Sequence, residues 1–281
     1  MQIIVSPQEF QALCWSWRCQ GLTSAFVPTM GYLHAGHVSL LEWARANARK
    51  VAASIFVNPA QFGPGEDLDR YPRDADGDAA KARAAGVDVL FMPEPATMYP
   101  PGFATTVSVA GLTEALCGRS RPGHFAGVAS VVAKLLMLAM PATAVFGCKD
   151  WQQLAVIRRM VRDLDIPVAI EGRPIFREPD GLAMSSRNVF LSPAERAQAP
   201  AIHQGLLRAR ASVAAGQTSV IKVLADLADF YASAMPDASV DYMECVHAET
   251  IAPLADVAAP ALLAVAVKFS GARLIDNMLL N

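Results

Sequence analysis

The sequence predicts an α/β protein with a Rossmann-like, doubly wound parallel sheet and a second, smaller α+β domain. Strand-like apolar runs alternate with helix-like segments through the first two-thirds of the 281-residue chain, and this alternation is typical of βαβ units. The pattern changes after about Ile175, where two helices precede three strand-like runs. Hydrophobic residues make up 53% of the chain, which argues against disorder. We therefore predict domains at residues 1-175 and 176-281.

The predicted elements of the first domain begin with a strand at 24–27, followed by a helix at 38–50. The next strand, at 51–57, is apolar on both faces, as a parallel sheet requires. A helix at 74–85 ends at Gly86, a typical C-terminal stop. The remaining elements are strands at 87–91, 144–146 and 168–170 and helices at 128–140 and 152–163.

The second domain opens on a helix start signal. Ser192-Pro193-Ala194-Glu195 forms a capping box with proline at the first helical position, which predicts one helix that continues to about Ala215. A second helix is predicted from about Ser219 to Ala234. Three strands follow at 240–246, 261–269 and 273–280, and Ser270-Gly271 suits a tight turn between the last two.

Charge, cysteines and apolar segments exclude several classes of protein. The formal net charge of -2 argues against a nucleic acid or a membrane surface as partner, so we expect small-molecule substrates. Five scattered cysteines without a C-x-x-C predict neither a disulfide framework nor a structural zinc site. No signal peptide is expected at the N-terminus, and the most apolar helix is too short for a bilayer. We therefore expect a cytoplasmic location.

Two histidines predict phosphate chemistry. His34 and His37 lie at the turn between the first strand and helix, separated by Ala35 and Gly36. In an open parallel sheet this turn lies at the carboxyl end of a strand, where ligands bind, and a helix N-terminus there favours phosphate. Such a pair could also be half of a metal site. No acidic or cysteine ligand stands nearby in sequence, and the glycine fits close approach of a phosphate better.

Other segments place polar side chains after predicted strands. Gln61 could bind a substrate hydroxyl, although an ordinary loop is compatible with the same residues. Lys149 could contact a polyphosphate, Asp150 could cap a helix or contact a nucleotide, and Gln153 would face the same edge. The plain alternative is a capped helix with an exposed lysine.

Two further basic segments have open interpretations. Ser185, Ser186 and Arg187 could bind a triphosphate, or they could form a mobile surface loop. The segment from Ser120 to Phe125 could bind anions or simply begin a helix. Beside Lys149, the thiol of Cys148 is better interpreted as a small apolar group than as a nucleophile.

Together these segments resemble the pantothenate synthetase (pantoate–beta-alanine ligase) family, within the HxGH nucleotidyltransferase superfamily. The resemblance runs from Pro28 to Asn277 and ends in the motif Ala-Arg-Leu-Ile-Asp-Asn. It implies ATP with Mg²⁺, pantoate and beta-alanine as substrates, a homodimer and a C-terminal lid domain. It is carried, beside the histidine motif, by Phe56 to Phe62, Tyr71-Pro72-Arg73, Arg121 to Phe125, Lys149-Asp150 and Met184 to Asn188.

The resemblance also implies residue roles. His37 would be the catalytic acid, supported by His34 and Lys149. Gln61 and Gln153 would hold pantoate, and Gln61 would also face beta-alanine. Acidic residues between Asp74 and Asp78 are candidates to help hold Mg²⁺, without an assigned ligand. The ATP-binding residues would be Met30, Gly31, Tyr32, Leu33, His34, Ala35, Gly36, His37, Gly147, Cys148, Lys149, Asp150, Phe176, Met184, Ser185, Ser186 and Arg187.

Position 148 departs from the family, which usually has glutamate before the Lys-Asp pair. Here Cys148 stands in that place, so only a backbone contact from this position is expected. The implied reaction is ATP-dependent condensation of pantoate with beta-alanine through a pantoyl adenylate. Three alternatives remain open: a nucleotidyltransferase that keeps the nucleotide in its product, a non-catalytic ATP sensor, and a metal-dependent hydrolase that uses both histidines.

Overall fold

The computed structural model describes residues 1–257 and 260–280, and the chain divides into two compact units. The predicted second domain, 176-281, falls within the second unit, which also takes in two earlier segments. Unit 1 comprises Met1–Val109, Arg121–Cys148 and Val156–Pro174, and unit 2 comprises Ala110–Ser120, Lys149–Ala155 and Ile175–Asn281.

The sheet of unit 1 has six strands, and every neighbouring pair in it is parallel. The strands are β1 (Gln2–Ile4), β2 (Ser24–Thr29), β3 (Lys50–Ile55), β4 (Val89–Phe91), β5 (Thr143–Gly147) and β6 (Ala169–Arg173). Their order is β1-β4-β3-β2-β5-β6, so the direction of winding reverses between β2 and β5. In open α/β sheets, ligands bind outside the carboxyl ends of the strands at such a switch point.

The helices connect these strands and continue into unit 2. None of the helices in the described residues is long and apolar enough to cross a membrane. They are α1 (Pro7–Cys19), α2 (Ala35–Asn47), α3 (Ala75–Ala84), α4 (Pro95–Met98), α5 (Leu116–Ser120), α6 (His124–Ala139), α7 (Trp151–Asp163), α8 (Pro193–Gln198), α9 (Ala201–Ala214) and α10 (Val220–Ala234).

Helices cover both faces of the parallel sheet because successive residues of a strand point to opposite sides. On one face, Val27 of β2 packs in a buried cluster with Leu41 of α2. On the other face, Phe26 of β2 approaches Phe10 of α1, whose ring stacks on Phe91 of β4 with centroids 4.4 Å apart. The predicted α/β class with a doubly wound parallel sheet is thereby confirmed.

Unit 2 contains the predicted small antiparallel sheet. Its strands are β7 (Ser239–His247), β8 (Ala261–Lys268) and β9 (Arg273–Leu279), in that order. Leu206 of α9 and Leu227 of α10 share a buried cluster with Val265 of β8. A Cβ at Gly205 would lie 2.4 Å from the ring of Tyr231, so glycine is required where α9 approaches α10. The predicted α+β character of this part of the chain is confirmed.

One helix prediction is wrong. The single helix expected from Ser192 to about Ala215 is broken into α8 and α9, because Pro200 lacks the N–H that a continuous helix would need there. The capping box itself is confirmed, since Ser192 Oγ accepts from the Glu195 N–H and Glu195 Oε2 accepts from the Ser192 N–H. The elements β1, α1, α4 and α5 were not predicted.

Candidate active site

The loop between β2 and α2 is held by one buried carboxylate. Asp78 of α3 is only 1% exposed and accepts the backbone N–H of Tyr32 at 2.7 Å and that of Leu33 at 2.6 Å. Gly31 has a φ of +86°, and a Cβ there would lie 2.8 Å from Ile55 Cγ2, so the loop requires glycine at this position. Sequence reasoning missed this role of Asp78, because nothing local marks which acid of α3 faces a loop more than forty residues away.

The histidines lie at the start of α2, which begins at Ala35 rather than at the predicted Val38. His34 is the residue before the helix, and its backbone N–H donates to Nδ1 of His37 at 3.3 Å. The two rings stack with centroids 4.0 Å apart. Because Nδ1 of His37 accepts a hydrogen bond, the neutral ring carries its proton on Nε2. The turn therefore combines an imidazole donor with the N–H groups of a helix N-terminus.

Gln61 is fixed from both ends of its amide. It is 8% exposed and ends a short 3-10 turn after β3. Nδ2 of Asn58 donates to Gln61 Oε1 at 3.0 Å and to the carbonyl of Gly127 at 3.2 Å. Gln61 Nε2 lies 3.1 Å from Sδ of Met30. Unit 1 thus brings Gln61 against the loop that precedes the histidines.

Two basic residues at the start of α6, Arg121 and His124, contact the backbone of Gln61. Nδ1 of His124 lies 2.8 Å from the Gln61 carbonyl oxygen, and Nη2 of Arg121 donates to the same oxygen at 3.3 Å. Arg121 also forms a two-fold pair with Glu66, with Nε–Oε1 at 2.7 Å. Burial works to raise the pKa of Glu66, but the bonds and charge of Arg121 hold it below its usual value. Arg121 and His124 therefore anchor the backbone of Gln61, and Arg121 is itself held by its ion pair with Glu66.

The carboxylates of Asp74 and Asp78, candidates for Mg²⁺, both bind backbone groups. Asp74 caps α3 by accepting the Gly77 N–H at 3.0 Å, and Asp78 holds the β2–α2 loop. Across residues 1–257 and 260–280, no group of three or more His, Cys, Asp or Glu side chains is arranged to hold a metal ion.

Cys148 follows β5 in unit 1, next to Gly147. Burial raises the pKa of its thiol, with the charges of Arg158, Glu171 and Arg173 nearby. A raised pKa leaves little thiolate, so the interpretation of Cys148 as a nucleophile is disfavoured. A Cβ at Gly147 would meet nothing within 4 Å, so the backbone there is open to close approach.

Lys149 and Asp150, in unit 2, are the last two residues of the short 3-10 turn Cys148–Asp150 that precedes α7. Gln153 lies in the first turn of that helix. Burial lowers the pKa of Lys149, while the carboxylates of Asp150 and Asp276 work in the opposite direction. The side-chain amide of Asn277 donates to the Lys149 carbonyl at 2.8 Å. The backbone that carries the lysine is therefore attached to β9.

The other predicted ATP-binding residues of unit 2 lie on a tight hairpin. The Met184 N–H donates to the Phe176 carbonyl at 3.0 Å, and Phe176 is 42% exposed. Ser185 Oγ accepts from the Arg187 N–H at 3.2 Å, and Ser186 is buried. Local hydrogen bonds therefore join the two ends of this segment and close a turn at Ser185.

The predicted site residues are thus distributed over both units. Unit 1 holds the β2–α2 loop, Gln61, Gly147 and Cys148, and the strands that precede them are β2, β3 and β5 of one sheet. Unit 2 holds Lys149, Asp150, Gln153, Phe176 and Met184 to Arg187.

The chain is similar to known proteins over its whole length. A family model described as pantoate-beta-alanine ligase matches residues 2–279. The pantothenate synthetase of Oleidesulfovibrio alaskensis is 57% identical over 280 residues, covering 100% of both chains. The crystal structure of pantothenate synthetase from Thermus thermophilus superposes with a TM-score of 0.93 at 49% identity, covering 100% of this chain and 99% of that one.

A second structural relative was solved with ligands. It is the pantoate-beta-alanine ligase from Francisella tularensis complexed with beta-gamma ATP and beta-alanine, with a TM-score of 0.82 and 32% identity over 100% of this chain and 98% of that one. The predicted family membership is confirmed by the extent of the family match and by relatives well above 30% identity. The chain is therefore a ligase that belongs to the pantoate–beta-alanine ligase family.

Proposed function

We propose that the chain condenses pantoate with beta-alanine to pantothenate through a pantoyl adenylate, releasing pyrophosphate and AMP. The observation that carries this proposal is the β2–α2 loop, where Asp78 holds the backbone and two histidines, His34 and His37, flank the start of the helix. The relative from Francisella tularensis, whose structure is described as a complex with beta-gamma ATP and beta-alanine, supports the choice of substrates.

The chemistry requires an activated acid, because an amine that attacked a free carboxylate would have to expel oxide, which is not an acceptable leaving group. A pantoate carboxylate oxygen attacks the α-phosphorus of ATP, and the bond from that phosphorus to the bridging oxygen breaks, which releases pyrophosphate. The amine of beta-alanine then attacks the acyl carbon, loses a proton and expels AMP. Positioning and stabilisation of charge supply most of the first step.

In this proposal His37 is the catalytic acid, which donates from Nε2 as charge grows on the phosphate oxygens. His34 and the first N–H groups of α2 add further donors. In unit 2, Lys149 and Arg187 neutralise charge on the triphosphate, and the hydroxyls of Ser185 and Ser186 donate hydrogen bonds to it. The remaining ATP contacts are assigned to Met30, Gly31, Tyr32, Leu33, Ala35, Gly36, Gly147, Cys148, Asp150, Phe176 and Met184.

Pantoate binding is assigned to Gln61 and Gln153, and Gln61 also faces beta-alanine. Asn58 bonds the side-chain amide of Gln61, and His124 and Arg121 contact its backbone carbonyl. These bonds support the role, because a residue that is already held loses little freedom when a substrate binds. Mg²⁺ is assigned to the ATP complex, since this ion is usually bound through substrate phosphates and retained waters.

Residues 176-281 are proposed to act as a lid that excludes water from the acyl adenylate, while 1-175 bind ATP and pantoate. The homodimer implied by the family resemblance and the cytoplasmic location stay predictions.

The substrate assignment is tested by an AMP-release assay with ATP, Mg²⁺, pantoate and beta-alanine, in which each component is omitted in turn. We expect stoichiometric AMP and pantothenate only when all are present. AMP retained in a product would favour the nucleotidyltransferase alternative, ATP binding without pyrophosphate release would favour the sensor, and tightly bound zinc in the purified protein would favour the hydrolase.

Replacing His37 by alanine removes the proposed acid. We expect pantoate-dependent exchange between pyrophosphate and ATP to fall about 100-fold, the usual cost of one lost donor in a transition state. His247→Ala serves as the control, because this histidine lies at the end of β7 in unit 2 and contacts the following turn. A folded His37→Ala protein with normal exchange would contradict the assignment.

The titration of Lys149 should set the alkaline limit of enzyme activity. Because burial lowers the pKa of Lys149, with Arg187 and Arg177 acting in the same direction and Asp150 and Asp276 opposing, its charge is lost at a lower pH than in an ordinary lysine. We expect kcat/KM for ATP to fall as the pH rises through this pKa. Lys149→Arg should move the fall to higher pH, since arginine stays charged. An unchanged alkaline limb in a folded, active Lys149→Arg protein would show that another group titrates.

A further inference from the structure

The motif Ala-Arg-Leu-Ile-Asp-Asn near the C-terminus has no assigned role, although it belongs to the family pattern. Its last two residues, Asp276 and Asn277, are adjacent on β9 and only 4% and 6% exposed. Buried polar side chains need partners, and the partners of these two are segments to which ATP contacts are assigned.

Asp276 anchors the hairpin of unit 2. Its carboxylate accepts both terminal nitrogens of Arg177, at 2.6 and 3.0 Å, and the backbone N–H of Asn277 at 2.8 Å. Arg177 pairs with Ala183 in an antiparallel bridge, directly beside the bond between the Phe176 carbonyl and the Met184 N–H. A two-fold arginine–carboxylate pair fixes orientation as well as distance. The base of the hairpin is therefore attached to β9.

Asn277 anchors the lysine segment. Its side-chain amide donates to the Lys149 carbonyl at 2.8 Å, which fixes the backbone of the turn before α7. Since successive residues of a strand point to opposite sides, one short piece of β9 can contact two segments that are far apart in sequence. β9 is itself paired along its length with β8, so both attachments are made to a rigid element.

We propose that Asp276 and Asn277 are positioning residues, which hold the Lys149 turn and the Phe176–Arg187 hairpin in the mutual arrangement needed to bind the triphosphate of ATP. They act through Lys149 and Arg177. This inference rests on the proposed function, because it takes the assignment of these two segments to ATP as its starting point.

The alternative is that both residues only stabilise unit 2. A purely structural role predicts lower thermal stability with the same ATP affinity in the folded protein. A positioning role predicts a selective loss of ATP affinity, because the two segments would lose their common anchor while Gln61 in unit 1 is unchanged.

The test uses Asn277→Leu, which removes the donor to Lys149 and keeps a similar volume. In pantoate-dependent pyrophosphate–ATP exchange we expect KM for ATP to rise about tenfold, the effect of one lost hydrogen bond, while KM for pantoate changes less than about twofold. Asn277→Ser, which keeps a shorter donor, should recover part of the loss. Asp276→Asn should show the same selectivity.

The matched control is Tyr231→Phe. The Tyr231 hydroxyl donates to the Ile202 carbonyl at 2.7 Å in the buried core of unit 2, so its loss removes a side-chain bond to a backbone carbonyl that belongs to neither the Lys149 turn nor the hairpin. This variant should melt at a lower temperature and keep the wild-type KM for ATP.

Calorimetric titration of the same proteins with ATP and Mg²⁺ separates this inference from the proposed function. If the wild type binds ATP but makes no pantothenate, the proposed function fails, and weaker ATP binding by Asn277→Leu still supports positioning. The inference is overturned if folded Asn277→Leu and Asn277→Ser bind ATP as the wild type does, or if KM for ATP and for pantoate rise equally.

Discussion

The two hydrogen bonds from the β2–α2 loop to the buried carboxylate of Asp78 are the constraint on which the proposed site depends. They fix the backbone at Tyr32 and Leu33, immediately before His34, the residue that precedes α2. A buried carboxylate that lost one of these donors would retain a large desolvation cost, on the order of 1–3 kcal/mol or more. The backbone of the loop therefore has one favourable conformation. This conformation fixes the positions of His34 and His37 at the start of α2.

Other contacts within unit 1 connect this loop to Gln61, whose side-chain amide is proposed to bind substrate. Met30 lies in that loop and contacts the side chain of Gln61, whose backbone is held by Arg121 and His124. These basic side chains contact internal partners, Glu66 among them, and so help to fix the position of Gln61. In unit 2 Arg177 has a comparable structural role, because it is paired with the buried carboxylate of Asp276.

Most of the helices and strands could be predicted from local sequence patterns, because their formation depends on residues that are close together in sequence. The alternation of apolar runs predicted the strands of both sheets except β1, and the capping box at Ser192 correctly marked the start of α8. The break between α8 and α9 also has a local sequence signal, since a proline inside a helical pattern ends the helix. Ser6-Pro7 is a similar start signal for α1.

The supporting residues of the site could not be found in this way. Asp78 looks like any acid in the first turn of a helix, where a favourable interaction with the helix dipole explains it fully. Its actual partners are set by how α3 packs against the loop. Asp276 and Glu66 likewise acquire their partners from contacts across the fold, whereas His37 and Lys149 can be proposed from the sequence because their motifs are contiguous.

The most direct test of the central claim is pantoate-dependent pyrophosphate–ATP exchange by Asp78→Asn, normalised to the folded fraction measured by circular dichroism. Asparagine cannot accept both N–H groups as a carboxylate does, so the loop should shift and exchange should fall about 100-fold, as expected for a misplacement near 1 Å. Asp88→Asn is the control, because Asp88 also accepts a backbone N–H, from Val51 at 2.7 Å, but lies before β4 at the amino end of the sheet. Wild-type exchange in folded Asp78→Asn would contradict the account.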